Sequence, residues 1–183
     1  MRRLAANDHD IDLISMDVVW TAEFAQAGWV APWPADRAAA VTDGVFPSVV
    51  ATARFDGQLY GAPLNTGTQL LWYRKDLVPT APATWDDMIR TAETLPEGRN
   101  RIEVQGKRYE GLTVWFASLL ASAGGSIVGD QPDQVSLEPG PTEKALQVMH
   151  DVATSSAADP ILSNAAEDDG RLAFQSGSAA FMV

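Results

Sequence analysis

The chain has 183 residues, of which 46% are hydrophobic and 20% charged, and its formal net charge is −11. This composition is typical of a globular protein with a buried core, and the length predicts one domain or two small ones. The acidic balance argues against nucleic acid as a partner, because no basic stripe is available for phosphates. It is compatible with uncharged ligands. Cysteine is absent, which excludes disulfides, thiol catalysis and thiolate metal sites.

No cofactor and no metal ion are predicted. The two histidines, His9 and His150, are far apart and have no partner motif, and no glycine-rich loop is followed by Lys-Ser/Thr.

No apolar run approaches the ~18 residues of a membrane span. The basic start of the chain is followed by polar residues 7–10, where a signal peptide would be apolar. Taken literally, this pattern predicts a cytoplasmic protein.

The first predicted elements are a strand over 11–16, which ends at Asp17, and a helix over 18–27, which ends at Gly28. A strand that runs directly into a helix is the unit of a parallel α/β sheet. Ligands bind at the carboxyl ends of such strands, so Asp17 is a candidate binding residue. Residues 29–58 are rich in proline and predict loops with one short helix at most.

The rest of the chain predicts a more regular alternation of strands and helices. The apolar run 70–73, bounded by turn residues and a charged exit, predicts a strand buried on both faces. Thr84 with Asp87 forms a capping pattern for a helix. The remaining predictions are, in chain order, helices over 84–95, 112–123 and 142–154, a helix capped by Asn164 with Glu167, and a strand over 178–183. Helix 112–123 is apolar nearly all round and is expected to be buried, and helix 142–154 has a core stripe of Ala145, Leu146, Met149 and Val152.

The segment that links these halves carries the most specific pattern of the chain. It reads Tyr60-Gly61-Ala62-Pro63, then an apolar stretch, then Tyr73-Arg74-Lys75-Asp76-Leu77, with Pro79, Pro82 and Thr84-Trp85 in order. This pattern resembles the crossing strand of the extracytoplasmic solute-binding proteins that feed ABC sugar importers. The resemblance extends from about Arg3 to Val183 and is closest to the trehalose-binding lipoproteins. Further segments that match are Met16 to Ala25, Ala27-Gly28-Trp29, Glu110-Gly111-Leu112, Ser122 to Gly125, and Arg171 to Phe174.

The resemblance implies an α/β fold of the two-lobed periplasmic-binding-protein type. Part of the N-terminal lobe would span 1–63, a hinge crossing 64–69, and part of the C-terminal lobe 70–183. The implied function is that of a receptor, not an enzyme, which binds an α-linked disaccharide such as trehalose between its lobes and delivers it to the permease subunits of an ABC importer. The implied location is extracytoplasmic, at the membrane through a lipid anchor. Because family members carry an export signal and a long C-terminal half, we expect this chain to be an internal fragment with both lobes incomplete.

Sugar sites need carboxylates and amides for hydroxyl groups and aromatic faces for C–H surfaces. The resemblance assigns ligand contacts to Asp17 and Glu167, which match the two sugar carboxylates of the trehalose binders. Each has an alternative role. Asp17 can cap the helix that follows it, and Glu167 can be a capping glutamate or one member of the solvated acidic run 167–169.

Amide and carboxylate side chains near the crossing strand complete the predicted site. We expect Asn65, Gln69 and Glu110 to contact the ligand, although Glu110 could instead compensate the dipole of its helix. Its neighbour Tyr109 is expected on a surface loop. Gly67 departs from the family, in which an Asn at this position usually contacts the ligand. The loss of one neutral hydrogen bond would cost about 0.5–1.5 kcal/mol, so it would not abolish binding.

Five of the six tryptophans divide into two groups. One group is predicted in the core: Trp20, Trp72 and Trp115. The other lies on a loop, where sugar stacking and packing at the rim both remain open: Trp29 and Trp33.

Two other functions are compatible with the same residues. A glycoside hydrolase could use Asp17 and Glu167 as its carboxylate pair, although no feature of the sequence supplies the enclosed carboxyl of raised pKa that such an enzyme needs. The chain could also be a truncated, non-functional product of a receptor gene.

Overall fold

A computed structural model describes Leu4, Ala6 and residues 10–129 and 134–183 of the protein. The chain divides into two units, Met1–Thr68 and Gln69–Val183, each with its own internal packing. We call them unit 1 and unit 2 and describe each by itself.

Unit 1 begins with an extended segment and a short helix. Residues 11–16 form no strand, so the strand predicted there is wrong. An apolar run becomes a strand only where a neighbouring strand satisfies its backbone groups, and no described residue pairs with this one. A 3-10 turn, Val18–Trp20, leads into helix α1, Thr21–Gln26. This confirms the helix predicted there, and Gly28, with φ at 70°, lies just beyond its end.

The region 29–58 is more regular than predicted. It contains two helices, α2 (Ala35–Thr42) and α3 (Pro47–Thr52), and an antiparallel hairpin of β1 (Arg54–Phe55) and β2 (Gln58–Leu59). The prediction of one short helix at most is therefore wrong. Proline at the start of a helix sacrifices no hydrogen bond, and Pro47 opens α3 in this way. Asp56 and Gly57 both have positive φ, as a tight two-residue hairpin turn requires.

Unit 2 is built on a three-stranded sheet of order β3-β5-β4. The strands are β3 (Trp72–Tyr73), β4 (Arg101–Glu103) and β5 (Ala179–Met182), with β5 antiparallel to β3 and parallel to β4. The predicted C-terminal strand is confirmed as β5, at the centre of the sheet. The prediction that 70–73 is buried on both faces is wrong, because β3 is an edge strand and Trp72 is 57% exposed.

The four predicted helices of unit 2 are present: α4 (Trp85–Glu93), α5 (Glu110–Ser122), α6 (Pro139–Thr154) and α7 (Glu167–Ser176). The Thr84 hydroxyl accepts a hydrogen bond from the Asp87 N–H at 3.1 Å, which confirms the predicted cap of α4. The predicted cap of α7 by Asn164 is wrong. Asn164 ends a 3-10 turn, and the Asp169 carboxylate instead accepts a 2.9 Å hydrogen bond from the Ala166 N–H.

The core of unit 2 lies between its sheet and helices. Its largest fully buried side chains are Trp115, Phe181, Ile102, Leu120, Glu103 and Val152. Two predictions about this core need correction. Val114 of α5 is 41% exposed, so that helix is not buried all round, and Leu146 of α6 is 52% exposed, so it lies outside the core stripe that Ala145 and Val152 form. The periodicity of apolar residues shows which face of a helix is buried, but it does not show how much of that face the neighbouring elements cover.

Phe181 offers the most direct test of this core. We expect Phe181→Ala to lower the free energy of unfolding by about 3–5 kcal/mol, because the substitution removes a fully buried ring and leaves a cavity. Urea denaturation followed by circular dichroism measures the loss. Leu172→Ala is the control, since Leu172 is 55% exposed and its truncation should change stability little. Equal losses in the two variants would contradict the assigned core.

Candidate functional site

Unit 1 contains an open pocket of about 1200 Å³. Two sequence-predicted binding residues, Asp17 and Asn65, line it. Aromatic side chains also line it: Trp20, Trp29, Trp33 and Tyr60. A surface that offers acceptor groups and aromatic faces together has the chemistry that a sugar requires.

Asp17 lies immediately before the 3-10 turn that leads into helix α1. It was predicted to follow a strand, which is wrong, since the preceding segment is not paired. It instead caps the 3-10 turn: its carboxylate accepts a hydrogen bond from the Val19 N–H at 3.5 Å. The carboxylate is exposed and this bond is long, so acceptor capacity remains for a ligand. The capping role and a ligand contact are compatible in one side chain.

Two of the aromatic residues that line this pocket, Trp20 and Trp29, pack against Phe24. The rings of Trp20 and Phe24 stack with centroids 5.7 Å apart, and Phe24 meets Trp29 edge-on at 5.4 Å. Phe24 is buried, whereas Trp20 is 38% exposed. The prediction that Trp20 and Trp72 belong to the core is therefore wrong, and that for Trp115 is confirmed at 2% exposure.

Two other predicted residues, Glu110 and Glu167, lie in unit 2. Each is the first residue of its helix, α5 and α7 respectively. The loops before these helices are joined by a backbone hydrogen bond from the Lys107 N–H to the Ala165 carbonyl, at 3.1 Å. Tyr109, expected on a surface loop, has a buried hydroxyl, which lies over Gly111. Burial and the neighbouring Glu167 carboxylate raise the pKa of Tyr109 to about 12.

The two remaining sequence candidates lie in the predicted crossing segment. Gln69 is half-buried and Gly67 is exposed. A Cβ at Gly67 would meet no atom within 4 Å, and its φ is outside the positive region. Glycine is therefore not required there by sterics, and a larger side chain fits.

A buried acidic pair in unit 2 was missed at the level of sequence. Glu103 is 2% exposed and Asp159 5% exposed. Arg101 forms a 2.8 Å ion pair with Asp159, and the Ile161 N–H donates to the same carboxylate at 2.7 Å. Oε1 of Glu103 has no hydrogen-bond partner. Burial, and then the Asp159 carboxylate, raise the pKa of Glu103 to about 8. Sequence patterns did not reveal this pair, because its members lie far apart along the chain.

This pair makes the stability of unit 2 depend on pH. The folded chain holds the Glu103 proton up to a pH of about 8, whereas the ordinary pKa is 4.5. The contribution of Glu103 to the free energy of unfolding should therefore be largest below pH 4.5 and be lost as the pH rises through 8. We expect Glu103→Gln to flatten that dependence. Urea midpoints across this pH range measure it, with the exposed Glu97→Gln as control. Parallel curves for wild type and Glu103→Gln would contradict the assignment.

Within the described ranges, no helix is long and apolar enough to cross a membrane. The same residues contain no group of three or more acidic or histidine side chains suited to a metal ion.

Residues 2–183 match the family of bacterial extracellular solute-binding proteins. The chain belongs to this family. Among its relatives, a "Probable ABC transporter-binding protein" of Deinococcus radiodurans is 27% identical over 193 residues, which cover 99% of this chain and 45% of the relative. The maltodextrin-binding protein MdxE of Bacillus subtilis is 38% identical over 79 residues, or 40% of this chain and 18% of that protein.

Solved structures give the same result. Maltose-bound MalE3 of T. maritima is 29% identical with a TM-score of 0.82, covering 99% of this chain and 48% of MalE3. A solute-binding protein of Agrobacterium radiobacter K84, in complex with ribitol, has a TM-score of 0.81 at 22% identity, with the same coverage, and supports the fold alone. The chain thus spans about half the length of the proteins it matches. The predicted fold class, the two-lobed α/β solute-binding type, is confirmed, and the family consists of binding proteins and not of enzymes.

Proposed function

We propose that this protein is the sugar-binding component of an ABC importer, with an α-linked glucose disaccharide such as trehalose or maltose as its ligand. The observation that carries the proposal is the pocket of unit 1, where Asp17 and Asn65 lie beside an aromatic trio of Trp20, Trp29 and Trp33. Carboxylates accept two hydroxyl protons, amides donate and accept, and aromatic faces cover the apolar side of a pyranose ring. Family membership supports the transport role.

The ligand class is supported by one relative and one structure. MalE3 of T. maritima, at 29% identity, is maltose-bound, and the 38% identical relative is a maltodextrin-binding protein. Trehalose and maltose share the α-linked glucose unit and differ in linkage. The assignment of Gln69, Glu110 and Glu167 as ligand contacts stays a prediction from the family resemblance. The partners are the permease subunits of the importer, and the location is extracytoplasmic, with a lipid anchor at the membrane.

Titration of the full-length protein with trehalose and with maltose tests the proposal. Saturable changes in tryptophan fluorescence are expected, since three tryptophans line the pocket of unit 1. A folded protein that responds to neither sugar would overturn the proposed ligand class.

Asp17 can be tested apart from its capping role. We expect Asp17→Ala to weaken sugar binding by about 1.5–3 kcal/mol, as for a hydrogen bond to a charged group. Asp17→Ser keeps a capping side chain but removes the charge, so it should bind as weakly as the alanine variant while retaining wild-type stability. Asp43→Ala, at an exposed acid of unit 1 after α2, is the control. Isothermal titration calorimetry gives the affinities. Wild-type affinity in Asp17→Ser would remove Asp17 from the site.

Gly67 offers a gain-of-affinity test. Because space is open around it, we expect Gly67→Asn to add one hydrogen bond to the sugar and tighten binding by about 0.5–1.5 kcal/mol. Gly67→Ala is the matched control, since it adds a Cβ without the amide. Equal affinities for the two variants, measured by the same calorimetry, would show that the side chain at this position does not reach the ligand.

A further inference from the structure

Thr21 is a buried polar side chain that the packing of unit 1 leaves unexplained. It is the first residue of α1 and is 4% exposed. Phe24, three residues further on, is 2% exposed, so the two side chains lie on the same buried face of this short helix. A buried polar side chain normally has a hydrogen-bond partner. Valine would fill such a position without a hydroxyl, so the hydroxyl calls for a role other than packing.

The hydroxyl of Thr21 is not bonded to its own helix. A threonine in a helix commonly donates to a carbonyl three or four residues earlier, as Thr42 does to the Ala38 carbonyl at 2.9 Å. For Thr21 those carbonyls belong to Asp17 and Val18, and both accept backbone N–H groups instead. The Thr21 hydroxyl forms no hydrogen bond with any residue that the structure describes.

The pocket of unit 1 is the space that this hydroxyl faces. Thr21 lines that pocket together with Asp17 and Trp20. The Thr21 oxygen is not among the buried side-chain atoms of the described residues that lack both solvent and a partner. The small exposed part of Thr21 therefore includes its oxygen, which is accessible from the pocket.

Thr21 supplies what the Asp17 carboxylate lacks. An ionised carboxylate only accepts hydrogen bonds, whereas each hydroxyl of a sugar has a proton to donate and lone pairs that accept. A threonine hydroxyl both donates and accepts. The ring of Trp20, next to Thr21 in the chain, adds an aromatic face for the C–H surface of a sugar. One short stretch of chain thus presents an acceptor, an aromatic face and a donor to the same pocket.

We propose that Thr21 is a specificity-determining residue of the sugar pocket: its hydroxyl donates a hydrogen bond to a ring hydroxyl of the ligand, while Asp17 accepts from the sugar. This role rests on the proposed function and uses residues of unit 1 alone. A site that bonds a ligand hydroxyl rejects an analogue without it, because the buried polar group of the site is then left unpaired. Thr21 therefore selects sugars that carry a hydroxyl at the ring position it reaches.

Calorimetric affinities of the full-length protein for trehalose and maltose provide the first test. We expect Thr21→Val, which replaces the hydroxyl by a methyl group, to weaken binding by about 3- to 10-fold. Thr21→Ser keeps the hydroxyl and should bind close to wild type. Thr42→Val is the control, since its hydroxyl bonds within α2 and lies outside the pocket lining. Wild-type affinity in Thr21→Val, or equal losses in the valine and serine variants, would overturn the role of the hydroxyl.

Monodeoxy derivatives of the sugar that binds identify the hydroxyl that Thr21 recognises. One derivative should bind wild type more weakly than the parent sugar does, yet bind Thr21→Val as well as the parent sugar does, because the contact is already absent from that variant. If every derivative lost as much affinity for Thr21→Val as for wild type, no ligand hydroxyl would be paired with Thr21 and the proposal would fail.

Urea denaturation without sugar separates this proposal from the proposed function. Because the hydroxyl forms no hydrogen bond with the described residues, Thr21→Val should unfold at the same urea concentration as wild type or at a higher one. A lower midpoint would show that the hydroxyl is paired within the protein and would overturn its role in the pocket alone. A folded wild-type protein that binds neither sugar would overturn the proposed function, and the role of Thr21 with it.

Discussion

Burial of the central strand β5 is the constraint on which unit 2 depends. Ala179, Ala180 and Phe181 have no exposed surface, and successive side chains of a strand point to opposite faces. Both faces of β5 are therefore covered. The small side chains allow close approach of the neighbouring backbone, and Phe181 fills the core. The strand also has a partner on each side, because it pairs with β3 and with β4.

The residue that follows this strand is also hydrogen-bonded to the end of β4 and the segment after it. The Val183 N–H donates to the Glu103 carbonyl at 3.0 Å, and the Gln105 amide donates to the Val183 carbonyl at 2.7 Å. These bonds order the start of the loop that leads to Tyr109. Helix α7, with Glu167 at its first position, ends at Gly177 and turns directly into β5. A single buried strand thus connects to both the loop before α5 and helix α7.

Acidic side chains in unit 2 have two distinct physical roles. Glu103 is buried beside Asp159, and its raised pKa means that it avoids the cost of a second buried charge by staying protonated. Glu110 and Glu167 lie at the exposed starts of helices, where the helix dipole favours negative charge. Only the second pair has acceptor capacity available to a ligand. The first pair is buried, and its contribution to the stability of the fold decreases as the pH rises from 4.5 to about 8.

The sequence by itself determined the family, the four helices of unit 2 and the C-terminal strand, because helix periodicity, the Thr84 cap and the linking pattern are local signals. It also named Asp17, Asn65, Glu110 and Glu167 as polar candidates near element ends. The strand at 11–16 and the burial of 70–73 were wrong because pairing and cover depend on other segments. Only the tertiary structure decided that Trp20 lines a pocket and that Glu103 lies beside Asp159. Both arrangements depend on residues that folding brings together from distant parts of the sequence, and such contacts leave no periodic pattern along the chain.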